Sequence, residues 1–197
     1  MAGYSIIADI SNHIIQLLRS QLCPDLIGAP EAISLVSPAD KNADYLLGVF
    51  LYDMQDMGEF SQTQMIQRGE TKKQFPPKAL RLKYMIYLNA KAQVASKGED
   101  EQKILSRVMQ IIYDHALISV SKIHGMAENT DVNAAISFQS LNIEEKAKMW
   151  TALTLPLQLG IYLEVSPILL SSTRVTEVTR VVSTDFTAVQ KGEEHAY

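Results

Sequence analysis

The chain has 197 residues, of which 47% are hydrophobic and 20% charged, so it can bury the core of one ordinary globular domain and leave a tail over. Its formal net charge of -4 gives it no general attraction for nucleic acid or for an anionic membrane. The single cysteine, Cys23, excludes an intrachain disulfide and a cysteine-based zinc cluster.

The N-terminal sequence and the longest apolar run favour a protein outside the membrane. The first residues lack a basic start, and Asp9 interrupts their apolar stretch, which argues against a secretory signal. The apolar run over residues 45–52 is far short of the roughly 20 residues that a membrane-spanning helix requires. We therefore expect synthesis and assembly in the cytoplasm and no membrane insertion.

The first half of the chain predicts one helix and three strands. Apolar residues recur at three- and four-residue steps from Ile6, which predicts an amphipathic helix that ends before Cys23. Residues 32–36 and 45–52 predict strands, and the second is expected to be buried on both faces because it is apolar throughout. Residues 53–78 have no sustained period and predict a long irregular loop, which is typically functional or poorly ordered. Alternation over residues 80–88 predicts a long strand with one buried face.

The second half predicts two helices and two strands. Carboxylates at Glu99, Asp100 and Glu101 precede an apolar-periodic segment that runs to His115, which predicts a helix with acidic residues at its positive end. A polar loop over 119–131 and a strand over 135–138 are expected next. Asn142 with Glu145 three residues on matches a capping box, so a short helix should run to about residue 152. Residues 157–165 predict a strand that ends before Pro167.

The C-terminal segment has an alternating pattern but no strongly apolar face. Its β-branched residues favour an extended strand, yet it is too polar on both sides for the middle of a sheet. Such a segment gains most by pairing its backbone with a strand edge, either in its own sheet or in a neighbouring subunit. The candidate intersubunit or partner strand is Thr173, Arg174, Val175, Thr176, Glu177, Val178, Thr179, Arg180, Val181 and Val182.

These elements together predict an α/β (α+β) fold with a central mixed β-sheet flanked by helices and an extended C-terminal arm. We expect residues 1–170 to form the domain and residues 171–197 to form the arm and a polar tail. The sole tryptophan, Trp150, is interpreted as a core anchor for the short helix, with an exposed interface anchor as the alternative. The sequence predicts that Trp150 shares one core with the apolar residues Tyr84, Ile86, Leu88, Ile104, Val108 and Ile112.

The motifs of common enzymes are absent from the sequence. It contains no glycine-rich phosphate loop, no nucleophile elbow and no zinc-binding His-Glu-x-x-His motif. Asp9 and His13 are one helical turn apart, but two ligands do not make a metal site, so we interpret them as a solvated ion pair. Glu144 and Glu145 are better explained by helix capping than by acid-base catalysis. No catalytic residue, metal or cofactor is therefore expected.

One local cluster of positive charge stands out against the acidic chain. The candidate basic partner patch is Arg68, Lys72, Lys73, Lys78 and Arg81, followed by Lys83 and opposed in sequence only by Glu70. We weigh three interpretations: first a solvated loop, then a contact with an acidic protein partner, and last nucleic acid, because only Phe75 is available for base stacking.

The order and spacing of several segments resemble the terminator or cap family of extracellular contractile injection systems, the Photorhabdus virulence cassette and antifeeding-prophage type. The most specific segments are Glu99-Asp100-Glu101-Gln102-Lys103-Ile104-Leu105 and Leu141-Asn142-Ile143-Glu144-Glu145, the latter followed by Trp150-Thr151-Ala152-Leu153. The resemblance covers residues 6–168 and concerns the N-terminal domain of the cap protein.

Membership in this family would imply a domain related to phage tail terminators, assembled as a six-membered ring. It would imply a structural role that ends the polymerising inner tube or contractile sheath, with further copies of the chain, tube protein and sheath protein as partners. The alternatives are another structural subunit of the same particle, such as a tube or baseplate protein, and an enzyme with a dispersed site.

Overall fold

A computed structural model describes residues 3–40, 44–58, 64–69, 71–89, 97–120 and 133–177 of the protein. Three α-helices are described in it: α1 (Ile6–Leu22), α2 (Lys97–Asp114) and α3 (Ile143–Ala152). Nine strands are described: β1 (Ile33–Leu35), β2 (Leu47–Asp56), β3 (Ile66–Arg68), β4 (Lys72–Gln74), β5 (Lys78–Leu88), β6 (Leu117–Ser119), β7 (Asn133–Phe138), β8 (Gly160–Leu170) and β9 (Val175–Glu177).

Six strands form a mixed sheet in the order β1-β2-β5-β8-β7-β6. Only β1 and β2 run parallel, and the other neighbours pair antiparallel. The two central strands, β5 and β8, have 11 residues each. The predicted α+β fold with a central mixed sheet flanked by helices is therefore confirmed.

One face of this sheet packs against α1 and α2 and carries the larger core. Alternate side chains of β5, such as Leu82, Tyr84 and Ile86, point to this face and are fully buried beneath the helices. The hydroxyl of Tyr84 lies 2.8 Å from Ser11 Oγ on α1, so the one buried polar side chain of α1 has a partner.

The opposite face of the sheet carries a second, smaller core of aromatic residues under α3. Trp150 on α3 is 0% exposed, and its ring meets Tyr87 of β5 edge to face, with the ring centroids 5.9 Å apart. The indole Nε1 donates to the hydroxyl of Tyr162 on β8 at 3.0 Å. Trp150 is thus a core anchor as predicted, but the prediction of one shared core is wrong. The sheet separates Trp150 from the core that contains Tyr84, because alternate residues of one strand face opposite sides.

A tight contact beneath Gly48 helps to fix this aromatic core. A Cβ atom at Gly48 would lie 2.4 Å from Cζ of Tyr87, so the Tyr87 ring fills the space that any other side chain would need. The Tyr87 hydroxyl donates to the Val36 carbonyl at 3.1 Å, and its oxygen lies 3.0 Å from the Tyr45 hydroxyl, within hydrogen-bond distance. Strand β5 is therefore buried on both faces in this half, rather than on the single face that its alternation predicted.

Several predicted boundaries need correction. The predicted loop over 53–78 instead contains the end of β2 and the two strands β3 and β4. Polar strands of three residues have no apolar period, so periodicity could not show them. Residues 117–119 form strand β6, where no strand was predicted, and most of the loop predicted over 119–131 lies outside the described residues.

Strand β8 continues through Pro167 to Leu170, whereas the sequence predicted an end before that proline. The pairing of β5 with β8 shifts register between Leu80 and Leu82, opposite Ser166 and Pro167. Proline lacks an N–H, and a bulge is one of the few places within a sheet that tolerates it.

The other predicted elements are confirmed with small changes at their ends. The capping box of α3 is present: Glu145 N donates to Asn142 Oδ1 at 2.9 Å, and Asn142 N donates to Glu145 Oε2 at 2.8 Å. Among the described residues, no helix is both long enough and apolar enough to span a membrane.

Candidate assembly surfaces

Strands β3, β4 and β9 form a second sheet. From here on we use the name arm for these three strands, and not for the C-terminal segment 171–197 alone. Strand β4 lies in its middle and pairs antiparallel with both neighbours. The arm continues the central ladder of the large sheet: the β5–β8 pairing ends at Lys78 opposite Leu170, and the β4–β9 pairing begins at Gln74 opposite Val175. The arm therefore lies beyond the ends of the two central strands.

The connection between the arm and the large sheet is held by Phe75 and Arg174. Phe75 N donates to the Arg174 carbonyl at 3.0 Å, and the Arg174 guanidinium lies 4.2 Å from the centre of the Phe75 ring. The Gln74 side chain also donates to the Ser172 carbonyl. These contacts tie the two connecting segments together and give the arm a defined base.

The arm itself has no hydrophobic core. Every side chain of β3, β4 and β9 that the structure describes is exposed or half-buried. Met65, just before β3, is 42% exposed and Val175 of β9 is 49% exposed. Short strands without a packed face contribute little stability of their own, so the arm is suited to packing against another surface.

The structure describes only the first part of the predicted partner strand. Thr173 and Arg174 lie in the connection, and Val175, Thr176 and Glu177 form β9, which pairs with β4 of the same chain. The remaining residues, Val178, Thr179, Arg180, Val181 and Val182, lie outside the described residues. Pairing of this segment with a neighbouring subunit stays a prediction.

The residues of the predicted basic patch are divided between the two sheets. Arg68, Lys72 and Lys73 belong to the arm, and Lys72 lies opposite Glu177 in the ladder. Lys78 and Arg81 belong to β5, where Lys78 pairs with Asp56 and Arg81 Nε lies 2.6 Å from Glu164 Oε1. Two of the five residues thus pair with carboxylates of the large sheet and three belong to the strands of the arm, and their role as a partner patch stays a prediction.

A polar network covers the part of the large sheet that α3 leaves uncovered. The Tyr52 hydroxyl donates to Gln139 Oε1 at 2.8 Å, and Gln139 Nε2 donates to Glu164 Oε2 at 3.0 Å. Glu164 is also the partner of Arg81, so one chain of contacts crosses strands β2, β5 and β8. Burial, and then the nearby carboxylates, raise the pKa of Tyr52 to about 12. The sequence analysis missed this network, although polar residues at alternate positions of all three strands were a visible signal.

His13, which was considered for metal binding, lies close enough to His115 for the two side chains to interact. Burial, and to a smaller extent the positive charge of His115, lower the pKa of His13. The described residues contain no group of three or more potential ligands among His, Cys, Asp and Glu that could hold a metal ion. The expectation that the protein has no metal or cofactor stays a prediction.

The sheet topology and the helices define an α+β domain that is similar to tube-terminating proteins of contractile injection particles. One similar structure is the sheath/tube terminator of the extracellular contractile injection system PVC, with 16% identity and a TM-score of 0.66 over 98% of this chain and 66% of that one. Another is the tube-terminating cap of the anti-feeding prophage, with 18% identity and a TM-score of 0.60 over 92% of this chain and 61% of that one. The chain thus spans less than two thirds of the length of either protein.

The sequence itself gives the family. The Pvc16 N-terminal domain family matches residues 9–184, and the chain belongs to that family. No curated protein matches the sequence significantly. The resemblance found in the sequence is therefore confirmed.

Proposed function

We propose that this protein is a structural cap that ends the inner tube, the contractile sheath or both in a phage-tail-like injection particle. The observation that carries the proposal is the family match over residues 9–184, joined to a fold shared with two terminators over nearly the whole chain. Such a role requires surfaces for assembly and no chemistry.

The protein acts as a closed ring in this proposal, with six copies as the expected number. A cap must match the symmetry of the assembly end that it closes, and cyclic rings form when a heterologous contact repeats and its rotation closes. The ring is assembled in the cytoplasm, together with the particle. The arm is the best candidate for a contact between subunits because it lies beyond the large sheet and has no core.

The test begins with the mass of the purified chain at micromolar concentration, with and without tube protein. Mass photometry and electron microscopy should show a closed ring, in solution or on tube ends. Monomers alone under both conditions would contradict the proposal.

The second part of the test measures particles in cells. Deleting the gene should broaden the distribution of tube and sheath lengths, and the restored gene should narrow it again. A label on the chain should appear at one end of the particle. Labels along the tube or at the baseplate would instead identify it as another structural subunit, and separate tube and sheath preparations would show which of the two binds.

A further inference from the structure

We infer that the arm of one copy docks, through its side chains, on an acidic edge of the large sheet of the next copy. This inference rests on the proposed ring and identifies the two surfaces that meet in it. The first surface is the arm, and the second lies around β1 at one edge of the sheet.

The arm is the more basic of the two surfaces. In sequence, residues 66–74 and 174–177 contain Arg68, Lys72, Lys73 and Arg174 against Glu70 and Glu177, in a chain whose net charge is -4. It also presents two exposed apolar side chains, Met65 and Val175. A small sheet that has no core and an excess of positive charge fits an acidic protein surface with apolar positions of its own.

The surface around β1 has that composition. We name it the acidic edge and define it by Asp25, Leu26, Glu31, Leu35 and Asp44. All three carboxylates are exposed. Leu26 and Leu35 are 41% and 48% exposed.

The sequence around the acidic edge carries mostly negative charge. Residues 24–58 contain six carboxylates and a single basic residue, Lys41. Two of those carboxylates, Asp53 and Asp56, already pair with lysines of β5. Arg19 of α1 is a basic neighbour of the acidic edge, but its single charge leaves the three exposed carboxylates in excess, and a basic arm would meet that negative charge favourably.

The structure also indicates that side chains, rather than a continuous β-ladder, make this contact. Arg19 of α1 donates from Nε and Nη2 to the Ile33 carbonyl at 3.2 and 2.7 Å, so one backbone acceptor of this short edge strand is already occupied. An edge strand protected in this way does not readily accept another strand. Because the arm and the acidic edge are different surfaces of one chain, their contact is heterologous and can close a ring.

The test reverses charge on each surface of the full-length chain. The arm variant is Arg68→Glu with Lys73→Glu, positions whose ladder partners, Lys72, Gln67 and Thr176, do not repel a carboxylate. The edge variant is Glu31→Lys with Asp44→Lys. A control, Lys103→Glu with Lys148→Glu, changes the net charge as much as the arm variant but alters exposed positions on α2 and α3.

Each variant alone should associate at least about tenfold more weakly than the wild type, because like charges then meet across the contact. The control should associate normally. A 1:1 mixture of the arm and edge variants should restore assembly, since every contact in a ring of alternating chains is again complementary. Normal assembly of either variant alone, or no recovery in the mixture while both variants melt like the wild type, would overturn the inference.

A cross-link separates this inference from the proposed function. In a Cys23→Ser background, one chain carries Leu35→Cys and the other Val175→Cys, and the two are mixed and oxidised. A disulfide between the chains supports the contact between the arm and the acidic edge. If only open dimers formed, that outcome would contradict the proposed ring but not the contact. Closed rings that lack this disulfide would support the proposed ring but refute the contact between the arm and the acidic edge. As a control for random collisions, the Val175→Cys chain is mixed with a chain that carries Tyr113→Cys on α2.

Discussion

Replacing Trp150 by alanine tests whether the aromatic core under α3 holds that helix to the sheet. Trp150 is 0% exposed, and a fully buried tryptophan replaced by alanine costs about 3 to 5 kcal/mol of unfolding free energy. Its edge-to-face contact with Tyr87 contributes roughly 0.5 to 1.5 kcal/mol within that range. Because α3 has one open side and can settle toward the sheet, we expect the lower half of the range.

The assay is denaturant unfolding followed by far-ultraviolet circular dichroism, with linear extrapolation to water. Trp150→Phe keeps most of the apolar contact but removes the donor to Tyr162, so it should cost about half as much as the alanine variant or less. Thr151→Ala, at an exposed position of the same helix, is the matched control and should change stability by less than about 0.5 kcal/mol. An unchanged unfolding midpoint for Trp150→Ala, together with lost assembly, would refute the core assignment and make Trp150 an interface residue.

Three further changes probe single features of the fold. Asn142→Ala removes the capping box of α3 and should cost about 1 kcal/mol in denaturant unfolding, a result that an unaltered midpoint would contradict. Gly48→Ala drives a methyl group into the Tyr87 ring and should cost about 1 to 3 kcal/mol; a stabilised or neutral variant would show that the ring moves freely. Burial raises the pKa of Tyr84 from its ordinary 10.0 to about 12, so the unfolded chain loses this proton first and stability should fall as pH rises from 10 to 12. Tyr84→Phe should make that fall less steep without abolishing it, because the raised pKa of Tyr52 contributes in the same range, and an equal slope in both proteins would exclude Tyr84 as a source.

Elements with a strong hydrophobic period could be predicted from the sequence, and those held by other means could not. Helix α1 repeats its apolar residues every three or four positions, and the predicted helix matches the observed one closely. The cap of α3 is a local signal of two residues, so it too could be read directly. The strands of the arm are three residues long and polar, and only their pairing makes them strands.

The division into two cores had a signal that the sequence analysis did not use. Met85 and Tyr87 occupy the positions of β5 that should face solvent if only one side were buried, and both are large and apolar. Apolar residues at both the odd and the even positions of a strand are typical of a central strand that is covered on two faces. Periodicity identified the strand, but which elements cover each face depends on the order of strands in the sheet, and one sequence does not contain that order.

The candidate assembly surfaces were the least predictable part for a related physical reason. A core residue is selected by its own chain, so its pattern repeats with the period of the element that carries it. A residue that contacts another copy is selected by the surface of that copy. Residues such as Lys73 in the arm and Glu31 on the acidic edge therefore need not follow the period of the element that carries them. The basic residues were visible as a run in sequence, but β5 carries two of them into ion pairs with Asp56 and Glu164 and leaves three in the arm. Only the folded chain distinguishes charges that are neutralised within one subunit from charges available to the next, and that distinction is what the arm and edge variants measure.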